Sequence, residues 1–517
     1  MVTGRTQIWV PLALGLALLL SACANRNAVN HPPTATVSAI APSPVDAAAT
    51  EWRALSRLAY GPSVGLQTSL RTAGGAQAWA VQQINAAYAA SQQPPRLAAE
   101  WPQLADSLPQ IAAGAQRDRQ ARQSAKNADA GKADMREPGR LAMVDADGLG
   151  YIRAQAQQAG AWHLEACSNP ELENPLLARM TEFWFNHFNV FAGKGAVRPF
   201  VGHYLLHAIR PHALGRFEDL LLASARHPAM LLYLDQAQSV ADGTPDGKGG
   251  TRGLNENYAR EVMELHTLGV DGGYSQRDVR ELARVLTGWT VDRRRGDGFR
   301  FAPRLHDHGP KEVLALHLPG GARADVGEQE GVAALRMLAR QPATAHHLSL
   351  KLARFFVSDH PSQQLVQALE QRYLASNGDI RAVLSTLVQR PEFWQSGNTL
   401  FKTPLDFACS ALTATRAPGS APLPPRTLLL TAGFLANAGQ PLHGWQTPDG
   451  YAMDAATWMA PEALTRRADY ALVLGRQSPE LTLLQPYLSD RTNQQLQREP
   501  LAARAGLALA SPDFMTK

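Results

Sequence analysis

Thr181-Glu182-Phe183-Trp184-Phe185-Asn186-His187-Phe188-Asn189-Val190-Phe191 is the stretch on which the fold turns. At about 100° per residue, Phe183, Trp184, Phe188, Val190 and Phe191 share one broad face, and Glu182, Asn186 and Asn189 share the other. An apolar face that wide must be buried against other elements. Working outward, the helical period returns at 76–91, 174–191, 203–224, 256–269, 275–288, 331–357, 362–374, 379–389, 402–415 and 460–474. No long alternating run is bounded by the tight-turn pairs that mark strands. The sequence predicts a mainly α protein, a multi-helix globular domain with long loops and, as a minor element, short β-hairpins around 289–318.

Local signals place some boundaries. Ser275 followed by Asp278 reads as a capping box after Asp271-Gly272-Gly273. Asp379 precedes the stripe Ile380, Val383, Leu384, Leu387, and Pro391 ends it. Asp145 to Ile152 resembles half of a calcium loop, but Leu149 and Ala156 stand where ligands are required, so calcium is disfavoured.

The N-terminus carries a different message. Arg5, an apolar run from Ile8 to Leu20 and then Ser21-Ala22 form a signal-peptide pattern. The run, about 13 residues, is short for a membrane span, which needs about 20. Cys23 directly follows, as in the lipobox of bacterial lipoproteins, which predicts an acylated Cys23 as the mature N-terminus and lipid anchoring in the cell envelope. Ala24 follows without an aspartate, so the outer membrane is favoured over the inner. The expected organisation is a signal peptide at 1–22, a flexible Ala/Pro/Ser/Thr-rich tether at 23–50, a helical domain at 51–480 and a C-terminal helical tail at 481–517.

The net charge of +5 on 517 residues is small, and its basic residues are scattered, which argues against nucleic acid as a partner. Beside Cys23 only Cys167 and Cys409 occur; the sequence allows one disulfide or two buried thiols.

Three segments carry possible chemistry. His187 falls inside the aromatic face of 181–191. It is either a neutral core histidine bonded to a carbonyl or an acid, base or ligand facing an internal site. In Gly253–Gly269, Leu254, Tyr258, Val262, Leu265 and Leu268 make the stripe, and Glu261 lies at its edge. A carboxylate there needs a cation, a metal or N–H donors, and Asn257 lies one turn before it. Arg260 and Glu264 form an i,i+4 pair, and His266 projects about 140° from Glu261, so one straight helix does not bring both to one metal. His306-Asp307-His308-Gly309-Pro310-Lys311 places imidazole, carboxylate and ammonium within one loop.

These segments, with Ala225–Asp235 and Gly269–Tyr274, resemble the bacterial domain-of-unknown-function 1800 family. Its W-x-N-H-F element is matched by Trp184 to Phe188, its HPAMLxYLD and NENxARE elements at 227–235 and 255–261, and its HDxGxK element by His306, Asp307, Gly309 and Lys311. Lys351–Phe355 and Asp379–Trp394 also fit, and the likeness runs from about Arg57 to Ala471. The resemblance implies no established activity. It does imply a partner, because genes of this family often neighbour those of the exported domain-1501 family, which looks related to alkaline phosphatases.

Two functions follow. The first is an exported enzyme whose catalytic groups are His187, Glu261, His306 and Asp307. Trp184, Asn186, Asn257, Arg260 and Lys311 would bind its ligand, and a divalent metal would have His187, Glu261, His306 and His308 as candidate ligands. On this reading His187 and Glu261 sit on packed helices, with the 306–311 loop lining the same cavity. The second is a non-catalytic helical scaffold or binding lipoprotein in which these groups form a structural network. No complete catalytic motif, P-loop or dinucleotide fingerprint is present to decide between them.

Overall fold

Capped helices build the structure. Asn174 accepts hydrogen bonds from the backbone N–H groups of Leu176 and Leu177 at 3.0 and 3.1 Å, and Pro175 follows, so Pro175–His187 is helical. The computed structural model describes residues 44–130, 150–292, 298–321, 323–478 and 481–517. It is 63% helical, and its strands form only three small antiparallel hairpins among the described residues. Trp289–Val291 pairs with Phe299–Phe301 and Lys311–Val313 with Leu316–Leu318, both within the 289–318 stretch where the sequence predicts hairpins. The third joins Thr244–Pro245 to Thr251–Arg252.

The signalled boundaries form as the local chemistry requires. Ser275 and Asp278 make a reciprocal capping box on helix Gln276–Leu286. Asp379 accepts from Arg381 and Ala382 at the start of Ile380–Gln389. Two helical stretches differ from the sequence pattern. The segment 331–357 is two helices, Ala324–Ala339 and Pro342–Phe356, because Pro342 cannot continue the first and starts the second. The segment 256–269 is a short α-helix, Asn257–Glu261, which widens into a π turn, Val262–His266. A wider turn changes the angular step, so a straight-helix projection misplaces His266.

The buried apolar residues form two cores. The larger contains Phe183, Trp184, Phe188, Phe217, Leu282 and Trp289. The second surrounds Phe407, Phe434, Tyr470 and Phe514, from helices Pro404–Thr415, Pro425–Asn437, Pro461–Gly475 and the C-terminal segment. Leu484, Leu509 and Phe514 are buried there, and the backbone of Lys517 pairs with that of Leu400 at 3.0 and 2.8 Å. Residues 481–517 therefore belong to the body of the fold, and Pro44–Lys517 clusters as one compact unit. A helix covers Pro44–Arg57, so the last residues of the expected 23–50 tether are helical. Cys23 and residues 145–149 of the calcium-loop-like segment lie outside the described residues.

Cys167 and Cys409 form a disulfide that ties helix Tyr151–Ser168 to helix Pro404–Thr415, with Cα atoms 5.6 Å apart. Among the described residues no helix is long and apolar enough to cross a membrane.

Candidate active site

A pocket opens where the two cores meet, with Phe183 and Phe185 from the first and Leu405 from the second on its walls. Its free volume is about 50 Å³, room for a few waters. The polar face of helix Pro175–His187 lines it through Glu182 and Asn186, and Asn189 lines it from just past the helix end. Facing them is the start of helix Pro404–Thr415, where Thr403 caps the helix and Asp406 projects from its first turn.

Asp406 is buried and accepts hydrogen bonds from Arg179 and from the Lys517 ammonium. Burial alone would raise its pKa, but those two cations hold it far below the usual carboxylate range. Glu182 accepts a hydrogen bond from the Tyr60 hydroxyl. Burial, then the nearby Asp406 charge, pushes Glu182 up to about 7, against the pull of Arg179. One pocket therefore holds a carboxylate that stays ionised and a second that is protonated for part of the time near neutral pH.

The opposite wall is a histidine pair. His163 Nδ1 and His443 Nε2 lie 3.1 Å apart, so one ring donates and the other accepts. Burial lowers His163 to about 4; burial and then His163 lower His443 to about 3, which keeps both rings neutral at neutral pH. His443 has φ +54°, a left-handed conformation costly for a residue with a side chain. Its loop is pinned to the helix by two asparagines. Asn186 bonds both backbone groups of Tyr451, and Asn189 donates to the carbonyls of Trp445 and Thr447 at 3.2 and 2.8 Å. Gly450 has φ +76°, and a Cβ there would stand 2.2 Å from the Asn186 carbonyl, so the close approach of loop to helix requires glycine.

The residues singled out from the sequence are distributed among several places. Asn186 lines this pocket. Trp184 lies on the core side and donates from its indole to the Ala213 carbonyl at 2.9 Å. His187 is buried with it, and its Nε2 donates to the His266 carbonyl at 3.1 Å. Burial, then Lys351, His266 and His347, depresses His187 well below its ordinary value. Glu261 is half-buried and makes no ion pair among the described residues; burial and then Glu264 raise its pKa. Asn257 donates to Leu234 at 3.3 Å, and Arg260 reaches Glu256 and Gln276 at the surface.

The 306–311 loop belongs to a separate network. The His306 ring lies between the Thr287 carbonyl at 2.8 Å and Glu330 at 3.2 Å, and Lys311 pairs with Glu330 at 2.7 Å. Asp307 pairs with Arg284 at 2.7 Å, and His308 bonds the Gly321 carbonyl at 2.9 Å. His187 touches the segment that follows Glu261 through His266, whereas the partners of His306 are a different set. His187 and His306 are thus held by different partners, the buried Nδ1 of His187 has no hydrogen-bond partner, and Glu261 makes no ion pair among the described residues. Among the described residues no group of three or more His, Cys, Asp or Glu side chains is placed to hold a metal, so the candidate ligands His187, Glu261, His306 and His308 are not assembled around one ion.

Sequence reasoning missed Asp406, Arg179, Lys517 and the two histidines. Glu182 was visible on the polar face of its helix. Asp406 carried a signal too: a lone carboxylate inside Pro404-Leu405-Asp406-Phe407-Ala408, the same anomaly that singled out Glu261.

With this geometry in view, the chain can be placed. Residues 53–516 match the model of a family described as protein of unknown function (DUF1800), and the chain belongs to that family. No curated protein and no solved structure matches it.

Proposed function

We propose that this protein is an exported enzyme, held at the cell envelope by lipid on Cys23, that performs general acid–base chemistry in the Glu182–Asp406 pocket. One observation carries the reading: two carboxylates share a pocket, and their surroundings drive their ionisation in opposite directions. Such a divergence separates an acid from a fixed charge. Glu182, poised near neutral pH, exchanges the proton. Asp406 stays charged between Arg179 and Lys517 and holds Lys517 in position. Tyr60 orients Glu182, and the asparagine-pinned loop forms a wall that limits water. The disulfide supports an oxidising compartment, consistent with export. The expected partner, an exported protein of the domain-1501 family, belongs to the same proposal and is tested by co-purification from detergent extracts.

The experiment compares wild type with Glu182→Gln, which keeps the shape and removes the titrating group. Each purified protein is incubated with cell-envelope extract, and soluble products are followed by mass spectrometry. The wild type is expected to consume or form at least one compound that the variant leaves unchanged. Identical profiles from two equally folded proteins would reject the enzyme reading.

The scaffold reading has its own support. His187, His306, Asp307 and Lys311 are all hydrogen-bonded within the protein, as a structural network requires.

A further inference from the structure

We propose that the Glu182–Asp406 pocket binds a small oxyanion, a carboxylate or phosphate head group, received by Arg354 and Lys517. This assigns a substrate class to the site and rests on its reading as a ligand pocket.

The argument is one of charge. Arg354, at the exposed rim, and Lys517, inside, both line the pocket. Behind Asp406 and Phe355, two lining residues, lies Arg179, fully buried. Its Nη1 donates to Asp406, but Nε and Nη2 have no hydrogen-bond partner. Two further cations surround the same carboxylate. Lys402 is fully buried, with its ammonium 3.9 Å from the Phe514 ring centroid and no hydrogen-bond partner. Arg467 is fully buried over Phe401 and Phe407, and none of its three guanidinium nitrogens has a partner. Burial, against the attraction of Asp406, depresses Lys402 and holds Lys517 at about 8, and repulsion from the neighbouring cations adds to both.

Buried cations without acceptors are costly. Around Asp406 stand Arg179, Arg467 and Lys517, with Lys402 pushed toward its neutral form by burial; among the described residues the other acidic side chain lining the pocket, Glu182, is protonated for part of the time. The surplus is positive and lies at the first turn of a 12-residue helix, whose N-terminal end adds positive potential. A bound oxyanion would offset this surplus from inside the pocket, where Arg354 and Lys517 are the cations that reach it. Arg354 and Lys517 give charge-assisted hydrogen bonds. The volume of about 50 Å³ admits a head group of a few heavy atoms and leaves the rest of a larger ligand at the Arg354 rim.

The test uses the purified full chain at constant ionic strength. Sodium acetate and sodium phosphate are titrated separately against a sodium chloride baseline, with binding read by calorimetry and by thermal melting. At least one of the two oxyanions is expected to bind saturably and raise Tm above the chloride baseline; the responding arm tells a carboxylate from a phosphate. Arg354→Gln, at an exposed position that does not threaten folding, is expected to weaken that binding about tenfold or more, the loss of a charge-assisted contact. Glu182→Gln is expected to retain binding within a few fold, so loss of turnover in that variant with binding intact separates the acid–base reading from the anion site. No response to either oxyanion, or equal affinity in wild type and Arg354→Gln, would overturn the proposal.

Discussion

Asn186 closes a hydrogen-bonded ring on Tyr451: its Oδ1 accepts the Tyr451 N–H at 2.7 Å, and its Nδ2 donates to the Tyr451 carbonyl at 2.9 Å. One side-chain amide thus satisfies both backbone groups of a loop residue and fixes a wall of the pocket. Asn186→Ala leaves both groups without their partners. The expected cost is about 1–3 kcal/mol, from orphaned or rehydrated polar groups. Hydrogen exchange should accelerate selectively in 441–453, and unchanged protection there would show that the loop is held by other means. Asn186→Asp should be no rescue, since a carboxylate cannot donate to the Tyr451 carbonyl.

The disulfide bridges positions separated by 242 residues. Long-range cross-links restrict the unfolded chain most, and removing a native one typically costs about 2–5 kcal/mol. Cys167→Ala with Cys409→Ala should lower Tm by several degrees, and reductant should do the same to wild type only. A wild-type melting curve indifferent to reductant would show that the cysteines are free thiols in solution.

The helices were legible because their signals are local. Asp379 and the Ser275–Asp278 box form their caps from residues two or three positions away, and the stripe of 380–389 meets the core at its own period. The site was legible only in part. Glu182 and Asn186 declare themselves as the polar face of an otherwise aromatic helix, yet their partners come from Tyr60, Asp406 and Tyr451, far along the chain. No period links those positions. The histidine signals misled for a physical reason: an imidazole in an apolar setting can be held through one nitrogen by a backbone carbonyl, as His187 is by His266, without any ligand.

Glu182 sets a pH dependence of known sign. Its folded pKa of about 7 lies above its ordinary value of 4.5, so between these values the native state binds more protons than the unfolded chain. The group's contribution is fully present below pH 4.5 and is lost as pH rises through about 7. Denaturant titrations at pH 5 and pH 8 should show this decline, and Glu182→Gln should flatten it. Asp406, depressed by Arg179 and Lys517, acts in the opposite sense below its ordinary value of 3.8, outside that window. An identical pH slope in wild type and Glu182→Gln would mean that Glu182 titrates normally.

The proposed lipid anchoring rests on Cys23. Cys23→Ala should abolish acylation and move the protein from the detergent phase to the aqueous phase, leaving the far-ultraviolet circular dichroism of the soluble variant dominated by helix. A variant that still carries acyl chains would remove the basis for anchoring. The mass of the mature wild type gives a second check, since cleavage before Cys23 and lipidation each leave a defined change.

The His306–Glu330–Lys311 network provides the sharpest separation of structure from chemistry. Lys311 and Glu330 are buried and pair at 2.7 Å, with His306 on the same carboxylate oxygen at 3.2 Å. Burial alone would raise the Glu330 pKa, but the hydrogen bonds from His306 and Lys311 hold it down. Lys311→Met leaves that carboxylate short of its cation, and breaking a buried pair on one side costs about 3–5 kcal/mol. Lys311→Met combined with Glu330→Leu removes both charges and should recover much of the loss, a non-additivity of at least about 1 kcal/mol in a double-mutant cycle. Each variant that folds should bind oxyanion at Arg354 like wild type, because none of the three residues lines that pocket. If Lys311→Met instead abolished binding or turnover while keeping its stability, the loop would be chemical rather than structural, and His306 and Asp307 would return as catalytic groups.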